Sequence, residues 1–121
     1  MSVDALKHYR LSGILTVVLL SACADSPPAI GSHLPGSFSE ASDAFDARVK
    51  ARFPVGSDES ALRAELAREK FVVSTDKDSA SDFAARYHAD ELVCGASWVI
   101  RWSVAEAKVA AIGGTYREIC L

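Results

Sequence analysis

The pattern of hydrophobic positions predicts a helix at the start of the central region. In the stretch SEASDAFDARVKARF, large or small apolar side chains recur every four positions, at Ala41, Phe45, Val49 and Phe53. Side chains four residues apart lie on the same face of a helix, so this stripe predicts a helix with one buried face. Ser39 stands where an N-cap residue is preferred, and the turn sequence PVGS follows the stripe.

A second helix is predicted over the stretch DESALRAELAREK, directly after that turn. Leu62 and Leu66 form its apolar stripe, and Ser57 is the candidate N-cap residue. Asp58 and Glu59 place negative charge at the N-terminal end, where the helix dipole favours it. The sequence therefore predicts two consecutive helices, each with a single apolar stripe.

A strand and a loop are predicted after the helices. The five residues FVVST, 71–75, are aromatic and β-branched, a composition typical of a strand. The next stretch, residues 76–91, is mostly polar apart from Phe83 and Tyr87. We interpret this stretch as a long loop that includes at most a short helix.

The C-terminal region alternates with a period of two, as a strand with one buried face does. In CGASWVIRW and in VAAIGGTYREIC, the large apolar side chains and the cysteines stand at even positions. The residues of this predicted buried face are Cys94, Trp98, Ile100, Trp102, Ile112, Tyr116 and Cys120. With VAEAK as the turn between them, the two stretches predict an antiparallel hairpin.

The hairpin register predicts a disulfide. The register that sets Trp98 beside Tyr116 also sets Cys94 opposite Cys120. Directly opposed strand residues have Cβ atoms about 4.5–5.5 Å apart, close to disulfide geometry. A bulge at the GG pair, residues 113–114, would shift this register by one residue. Without such a bulge, the two cysteines are predicted to form a disulfide.

These elements predict one domain of two layers over residues 40–121. Their order is helix, helix and three antiparallel strands, which corresponds to the α+β class with the helices packed on one sheet face. The chain of 121 residues has room for one small domain of this kind.

The N-terminal segment has the layout of an export signal. A basic stretch with Lys7 and Arg10 precedes the apolar segment LSGILTVVLLSA, and small residues stand before Cys23. The apolar segment is too short for a membrane-spanning helix, which needs about 20 apolar residues. We expect residues 1–22 to be a cleaved signal peptide.

The sequence LSAC at residues 20–23 resembles the lipobox of bacterial lipoproteins, which signal peptidase II processes. In that family the cysteine thiol receives a diacylglyceryl group, the signal is removed, and the new N-terminus is usually acylated. The resemblance implies lipid attachment at Cys23 and explains why the number of cysteines, three, is odd. The alternative is an ordinary signal peptide, with this cysteine belonging to the folded protein.

The residues after Cys23 bear on the location of the protein and on its attachment. In lipoproteins of Gram-negative bacteria, Asp directly after the cysteine favours the inner membrane. Ala24 stands there and implies the outer membrane facing the periplasm, although Asp25 follows and weakens this inference. Residues 23–39 are rich in Pro, Gly and Ser and predict a flexible tether.

The stretch FPVGSDESALRAELAREKF, followed by a tryptophan-rich hairpin, resembles the small outer-membrane lipoproteins of the BamE/SmpA type. Those proteins have a lipobox, two helices and a three-stranded sheet, and they are accessory parts of the machine that inserts β-barrel proteins. The resemblance implies a non-catalytic role in outer-membrane assembly or maintenance, with an envelope protein as partner. The predicted disulfide and the final CL depart from the family's pattern.

Charge and motifs exclude several other functions. The net charge is −3 and the chain lacks a clustered basic stripe, so we do not expect nucleic-acid binding. The histidines have no metal-ligand spacing, and no phosphate-binding loop, dinucleotide fingerprint or nucleophile elbow occurs. The stretch DKDSASD has the alternating acids of a calcium loop but lacks its glycine and its closing glutamate. We predict neither a metal nor a cofactor.

Three function classes stay open at this point. The outer face of the hairpin would carry Arg101 and Arg117, whose guanidinium groups can bind carboxylates or lipid phosphates of a partner, unless this face is simply solvated. Cys94 and His88 could form a nucleophile and its base, but the predicted disulfide uses that thiol. Our prediction is a lipid-anchored, non-catalytic protein-binding module. The alternatives are a periplasmic inhibitor or small-ligand module, and a small enzyme that uses the 76–91 loop.

Overall fold

A computed structural model describes residues 27–77, 79–90 and 93–120. Its elements are a 3-10 helix at Ala29–Gly31, α1 at Phe38–Arg52, α2 at Glu59–Arg68, β1 at Val72–Thr75, β2 at Phe83–Asp90, β3 at Cys94–Ala105 and β4 at Lys108–Cys120. The strands form one antiparallel sheet in the order β1-β2-β3-β4. The predicted α+β class is confirmed.

Both predicted helices are present, and each buries its apolar stripe. In α1, Phe45 and Val49 are completely buried. In α2, the exposed fraction of Leu62 and Leu66 is 1% or less. The helices begin one or two residues away from the predicted starts, since Ser37 and Asp58 occupy the N-cap positions, without a side-chain capping hydrogen bond. The period of four therefore predicted the buried faces correctly, while the prediction of Ser39 and Ser57 as N-cap residues is wrong.

A turn in the left-handed region ends α2 and directs the chain into β1. Lys70 has a φ of 66°. Its N–H donates to the carbonyl of Ala67 at 3.1 Å, and the N–H of Phe71 donates to the carbonyl of Leu66 at 3.0 Å. These are the two hydrogen bonds of a Schellman motif, which satisfies the last helical carbonyls.

The prediction of a three-stranded sheet is wrong, because the sheet contains a fourth strand. β2 lies in the stretch predicted as a loop and pairs with β1 on one side and β3 on the other. Phe83 and Tyr87 point to the helices, but the other positions of β2 on that face are Ala85 and Ala89, and alanine has a low strand preference. Pairing on both edges stabilises a strand that its own composition predicts only weakly.

The hairpin of β3 and β4 has the predicted register. Trp98 lies opposite Tyr116, and Cys94 lies opposite Cys120. The register shifts only near the tip of the hairpin, between Ser103 and Val104, and the GG pair stays in regular pairing. A bulge at 113–114 is therefore absent, and the glycines have another role.

That role is the close approach of α1 to β4. A Cβ on Gly114 would lie 2.9 Å from Val49 Cγ2 and 3.0 Å from two ring atoms of Phe45. Carbon atoms in ordinary contact are about 3.5–4.0 Å apart, so a side chain at this position would push the helix away. Glycine lets α1 lie directly on the strand.

Helix α1 also satisfies the outer edge of β4, which has no strand beside it in the described sheet. The N–H of Gly114 donates to Asp46 Oδ1 at 2.9 Å, and the N–H of Tyr116 donates to Ser42 Oγ at 3.2 Å. Burial raises the pKa of Asp46, but the hydrogen bonds from Lys50 and Gly114 and the Lys50 charge outweigh it and lower the pKa below 3.8. Covering the edge in this way prevents pairing with another chain.

The turn between β3 and β4 has two residues with positive φ. Glu106 has a φ of 52° and Ala107 a φ of 63°, and the flanking Ala105 and Lys108 are paired. This is the geometry of a type I′ hairpin turn, which normally uses Asn-Gly. The N–H of Glu59 donates to the Ala107 carbonyl at 3.1 Å, so the start of α2 holds the turn.

The core lies between the helices and one face of the sheet. The largest fully buried side chains are those of Trp102, Phe45, Leu62, Leu66, Ile100, Val49 and Val109. An aromatic row crosses the sheet, with ring centroids 5.7 Å apart for Phe71 and Tyr87, 5.6 Å for Tyr87 and Trp98, and 5.2 Å for Trp98 and Tyr116. Such spacings are favourable for aromatic pairs, so the row ties three strands to the segment that precedes β1.

Residues 28–33, which we name the strap, pack on the domain although they lie within the predicted tether of 23–39. Ile30 is only 4% exposed and belongs to the core. Its N–H donates to Glu69 Oε1 at 2.8 Å. The flexible tether thus remains a prediction for residues 23–26, which lie outside the described residues, whereas the strap is held in place.

Two more side chains hold the strap. Arg48 donates from Nη1 to the carbonyl of Ser32 and from Nη2 to the carbonyl of His33, the latter at 3.1 Å. Trp98 donates from Nε1 to the carbonyl of Gly31 at 3.1 Å. A Cβ on Gly31 would lie 2.3 Å from that nitrogen, so the strap can lie on the indole ring only with glycine here.

Candidate functional site

The candidate site is the sheet face that points away from the helices, which we name the open face. Strand residues alternate between faces, so the burial of Trp98 and Ile100 against the helices places Ser97, Val99 and Arg101 on the other side. None of the described helices packs there. The central residues of the open face are Arg86, His88, Ser97, Val99, Arg101, Thr115 and Arg117.

Three strands contribute one row of this face. His88 pairs with Ser97, and Ser97 pairs with Arg117, so the histidine and the arginine lie two strands apart, about 10 Å at strand spacing. Ser97 between them is 8% exposed and forms the floor. In the next row, Arg86 lies about 12 Å from Arg117 by the same spacing. The face therefore presents separated basic groups above a floor of small side chains.

The two arginines predicted to act together have different surroundings. Arg101 Nε donates to Asp76 Oδ2 at 3.0 Å, so this guanidinium is engaged within the domain. A hydrogen bond from Ser79 and the Arg101 charge together lower the pKa of Asp76, which keeps the pair ionised. Arg101 and Arg117 share the open face, but their register positions separate them by about 14 Å. The structure does not bring them together.

Arg117 is the cation of this face that is available to a partner. It is exposed, and it has no carboxylate partner among the residues that the structure describes. Arg86 donates to the hydroxyl of Ser74 at 3.1 Å, and its charge also acts on the carboxylate of Asp76. Arg117 can therefore bind an anionic group without first breaking an ion pair within the described domain, whereas Arg86 already interacts with a neighbouring acid.

Two hollows flank this row. One of about 260 Å³ is lined by His88, Asp90, Val93, Gly95, Ala96, Ser97 and Ile119. The other, of about 450 Å³, is lined by Lys70, Val72, Ser74, Arg86, Tyr87 and His88. His88 forms part of the wall of both. Each hollow has room for a side chain of a partner, with basic or polar groups beside it.

The candidate catalytic pair is not assembled. Cys94 is joined to Cys120, with the Sγ atoms 2.12 Å apart. Its strand position is on the helix side of the sheet, whereas His88 lies on the open face. The thiol and the imidazole considered as nucleophile and base therefore lie on opposite faces.

The acidic stretch between β1 and β2 serves the domain itself. Asp76 accepts from Ser79 and Arg101, and Asp82 Oδ2 accepts from the N–H of Val104 at 2.9 Å. Across residues 27–77, 79–90 and 93–120, no three His, Cys, Asp or Glu side chains are grouped to hold a metal ion. Cys23, the predicted lipid-attachment residue, lies outside these ranges. Within them, no helix has the length and hydropathy needed to cross a bilayer.

Comparisons with protein-family models, with curated proteins and with solved structures find no match for this chain. A role for the open face is therefore argued from the residues of this chain alone.

The sequence reasoning missed Arg86 and considered His88 only as a base for Cys94, because their strand was predicted as a loop. A signal was present in the stretch FAARYHAD, residues 83–90, where apolar side chains at odd positions alternate with Arg86, His88 and Asp90. Two of the four apolar positions are alanine, which made the alternation easy to overlook.

Proposed function

We propose that this chain is a lipid-anchored envelope lipoprotein whose α+β domain binds another protein through the open face, without catalysis. The lipobox-like sequence that ends at Cys23 supports the anchor, and the resemblance to BamE/SmpA-type lipoproteins supports a role in outer-membrane assembly or maintenance. The fold contributes a sheet with one face packed and one face free of helices.

The observation that carries the proposal is the set of basic groups on a floor of small residues. Antiparallel sheets commonly leave one face in water, so a binding role depends on groups of this face that are available to a partner. Here Arg117 has no carboxylate partner in the described residues, and the small side chains of Ser97 and Val99 beside it leave room for an approaching chain. The partner should therefore present carboxylate groups to this face.

Arginine suits this role because its planar group binds a carboxylate through two parallel hydrogen bonds. Such a contact at the rim of an interface changes the rate of association, whereas one that is desolvated in the complex costs about 2–5 kcal/mol when it is removed. The loss of binding free energy on charge reversal at Arg117 therefore indicates whether this residue lies at the centre or at the rim of the interface.

The experiment is crosslinking in living cells with a photoreactive residue in place of Thr115, at the centre of the open face. The same residue in place of Ala61, exposed on α2, is the control. Purification in mild detergent and mass spectrometry then identify what is attached. A partner captured from position 115 and not from 61 supports the open face as the binding surface.

Charge reversal tests the chemistry of the contact. Arg117→Glu should abolish the crosslink, whereas Arg68→Glu, a matched change at a 73% exposed residue of α2, should leave it intact. Recovery of the barrel-insertion machine would support the BamE/SmpA-like role. An unchanged crosslink in Arg117→Glu would contradict the proposed contact.

A specific observation favours the alternative of a small-ligand module. A hollow of about 370 Å³ lies between the strap and the sheet, and Trp98, Tyr116 and Leu34 contribute to its lining. Its size is within the range of ligand pockets, and aromatic walls are typical of such sites. Failure to crosslink any protein from position 115, together with a small molecule retained by the purified chain, would favour this function.

A further inference from the structure

Three of the five most exposed large apolar side chains in the described ranges lie at one end of the domain. The large apolar residues that are most exposed in the described ranges are Phe38 at 53%, Val55 at 69%, Val72 at 71%, Val93 at 65% and Ile119 at 63%. Val93 directly precedes Cys94, and Ile119 directly precedes Cys120, so both lie where the disulfide joins β3 and β4. We name this region the disulfide end.

Phe38 belongs to the same end because α1 runs antiparallel to β4. Asp46 binds the backbone of Gly114, and Ser42 binds that of Tyr116. One further helical turn towards the N-terminus brings Phe38 to the level of residues 118–120. Phe38 lies in the helix layer and Ile119 on the open face, so the exposed apolar side chains surround the disulfide end on both sides of the sheet.

The strap directs the N-terminus to this end. A hollow there is lined by Pro27 and Gly36 from the N-terminal segment and by Cys94 and Glu118 from the sheet, so the first described residue lies beside the disulfide end. The next residues along the chain are fixed, since Ile30 is in the core. The N-terminal segment therefore leaves the folded domain beside Pro27, at a defined place. It does not hang freely from the start of α1, as a tether over residues 23–39 would.

The remaining length of chain is short. Pro27 stands four positions after Cys23, and a fully extended chain covers at most about 3.6 Å per position, or about 14 Å in all. A lipid on Cys23 would hold Pro27 within that distance of the lipid headgroups. The surface that surrounds Pro27 is then the part of the domain closest to the bilayer.

We propose that the disulfide end rests on the phospholipid bilayer, with Phe38, Val93 and Ile119 in its headgroup region. This inference depends on the proposed lipid anchor at Cys23. The exposed Arg117 lies two positions from Ile119 on the same face. Asp90 and Glu118 at this end offset its charge, so we expect a contact that is apolar and does not depend on anionic lipids. The opposite end of the domain, with the β3–β4 turn and Val55, then points away from the membrane.

The test uses the lipidated full chain in vesicles of phosphatidylethanolamine and phosphatidylglycerol, some with a nitroxide on the headgroup. Tryptophan is introduced as Phe38→Trp or Ile119→Trp, with Val55→Trp as the matched control. The native Trp98 and Trp102 are 5% and 0% exposed, so the wild-type chain supplies a baseline emission. The intact mass of each sample establishes whether the lipid is present.

The expected result is loss of the added emission in both Phe38→Trp and Ile119→Trp, with the added emission of Val55→Trp retained. The result should be the same in vesicles of phosphatidylcholine alone. A lipidated chain in which only one test reporter is quenched, or in which the control is quenched equally, overturns this inference and leaves the anchor intact. Quenching that requires phosphatidylglycerol overturns the apolar contact. A chain without lipid mass overturns the anchor and the inference together.

Discussion

The close approach of α1 to β4 makes Gly114→Ala a sharp test of the packing. Replacing glycine by alanine in a strand ordinarily stabilises a protein by about 0.4–1 kcal/mol, because the unfolded chain loses freedom. At this position the new methyl group would lie 2.9 Å from Val49 Cγ2 and 3.0 Å from the Phe45 ring. The packing therefore predicts a change of the opposite sign.

The magnitude follows from the distances. Carbon atoms pack at about 3.5–4.0 Å, so α1 must move by roughly 0.5–1 Å or its side chains must leave their rotamers. Overpacking of this kind typically costs about 1–3 kcal/mol. Since 1 kcal/mol corresponds to about 4–8 °C in Tm for a domain of this size, we expect a fall of about 4–24 °C.

Urea and thermal unfolding, followed by circular dichroism, measure the effect. Gly36→Ala is the matched control, because a Cβ at Gly36 meets no heavy atom within 4 Å. We expect the control to change the free energy of unfolding by less than about 0.5 kcal/mol or to raise it slightly. A Gly114→Ala chain as stable as the wild type would refute the reasoning about helix packing.

Three further predictions concern stability. The double substitution Cys94→Ser and Cys120→Ser removes the disulfide and should lower the free energy of unfolding by about 3.5 kcal/mol on the chain-entropy model. The difference between the wild type and this variant should vanish when both are unfolded under reducing conditions. Replacing Glu106 and Ala107 by Asn and Gly should raise the free energy of unfolding by roughly 1 kcal/mol, because both positions have positive φ. Urea unfolding measures this change, and an unchanged midpoint would contradict the type I′ assignment. The lowered pKa of Asp46 means that its ionised form stabilises the fold above pH 3.8 and that this contribution is lost as the pH falls further. The deficit of Asp46→Asn relative to wild type should therefore shrink between pH 7 and pH 3, and a constant deficit would count against the hydrogen bonds described above.

Local patterns predicted the elements whose signals are strong. The period of four in residues 41–53 and the leucines of α2 predicted two helices with the correct buried faces. The alternation around Trp98 and Tyr116 predicted the hairpin, its register and the cysteine pairing. These predictions succeeded because large side chains at a regular spacing leave only one way to bury them together.

The candidate site could be predicted only in part, because two of its seven central residues belong to a strand with a weak signal. The alternation on β3 and β4 placed Arg117 on the outer face, but Arg86 and His88 came from β2, where alanines obscure the pattern. The engagement of Arg101 by Asp76 also joins residues far apart in the chain, 25 positions, which no local pattern encodes.

Local periodicity in the chain settles which side chains share a face, since that depends on the periods of helix and strand. The tertiary structure alone decided the fourth strand, the docking of the strap, and the hairpin turn without Asn-Gly. In each case a segment with weak or contrary local preference gains its conformation from distant partners: β2 from pairing on both edges, Ile30 from the core and Glu69, and the turn from the start of α2. Such contacts release their free energy only when the whole domain assembles, so they leave little trace in the chain's local pattern.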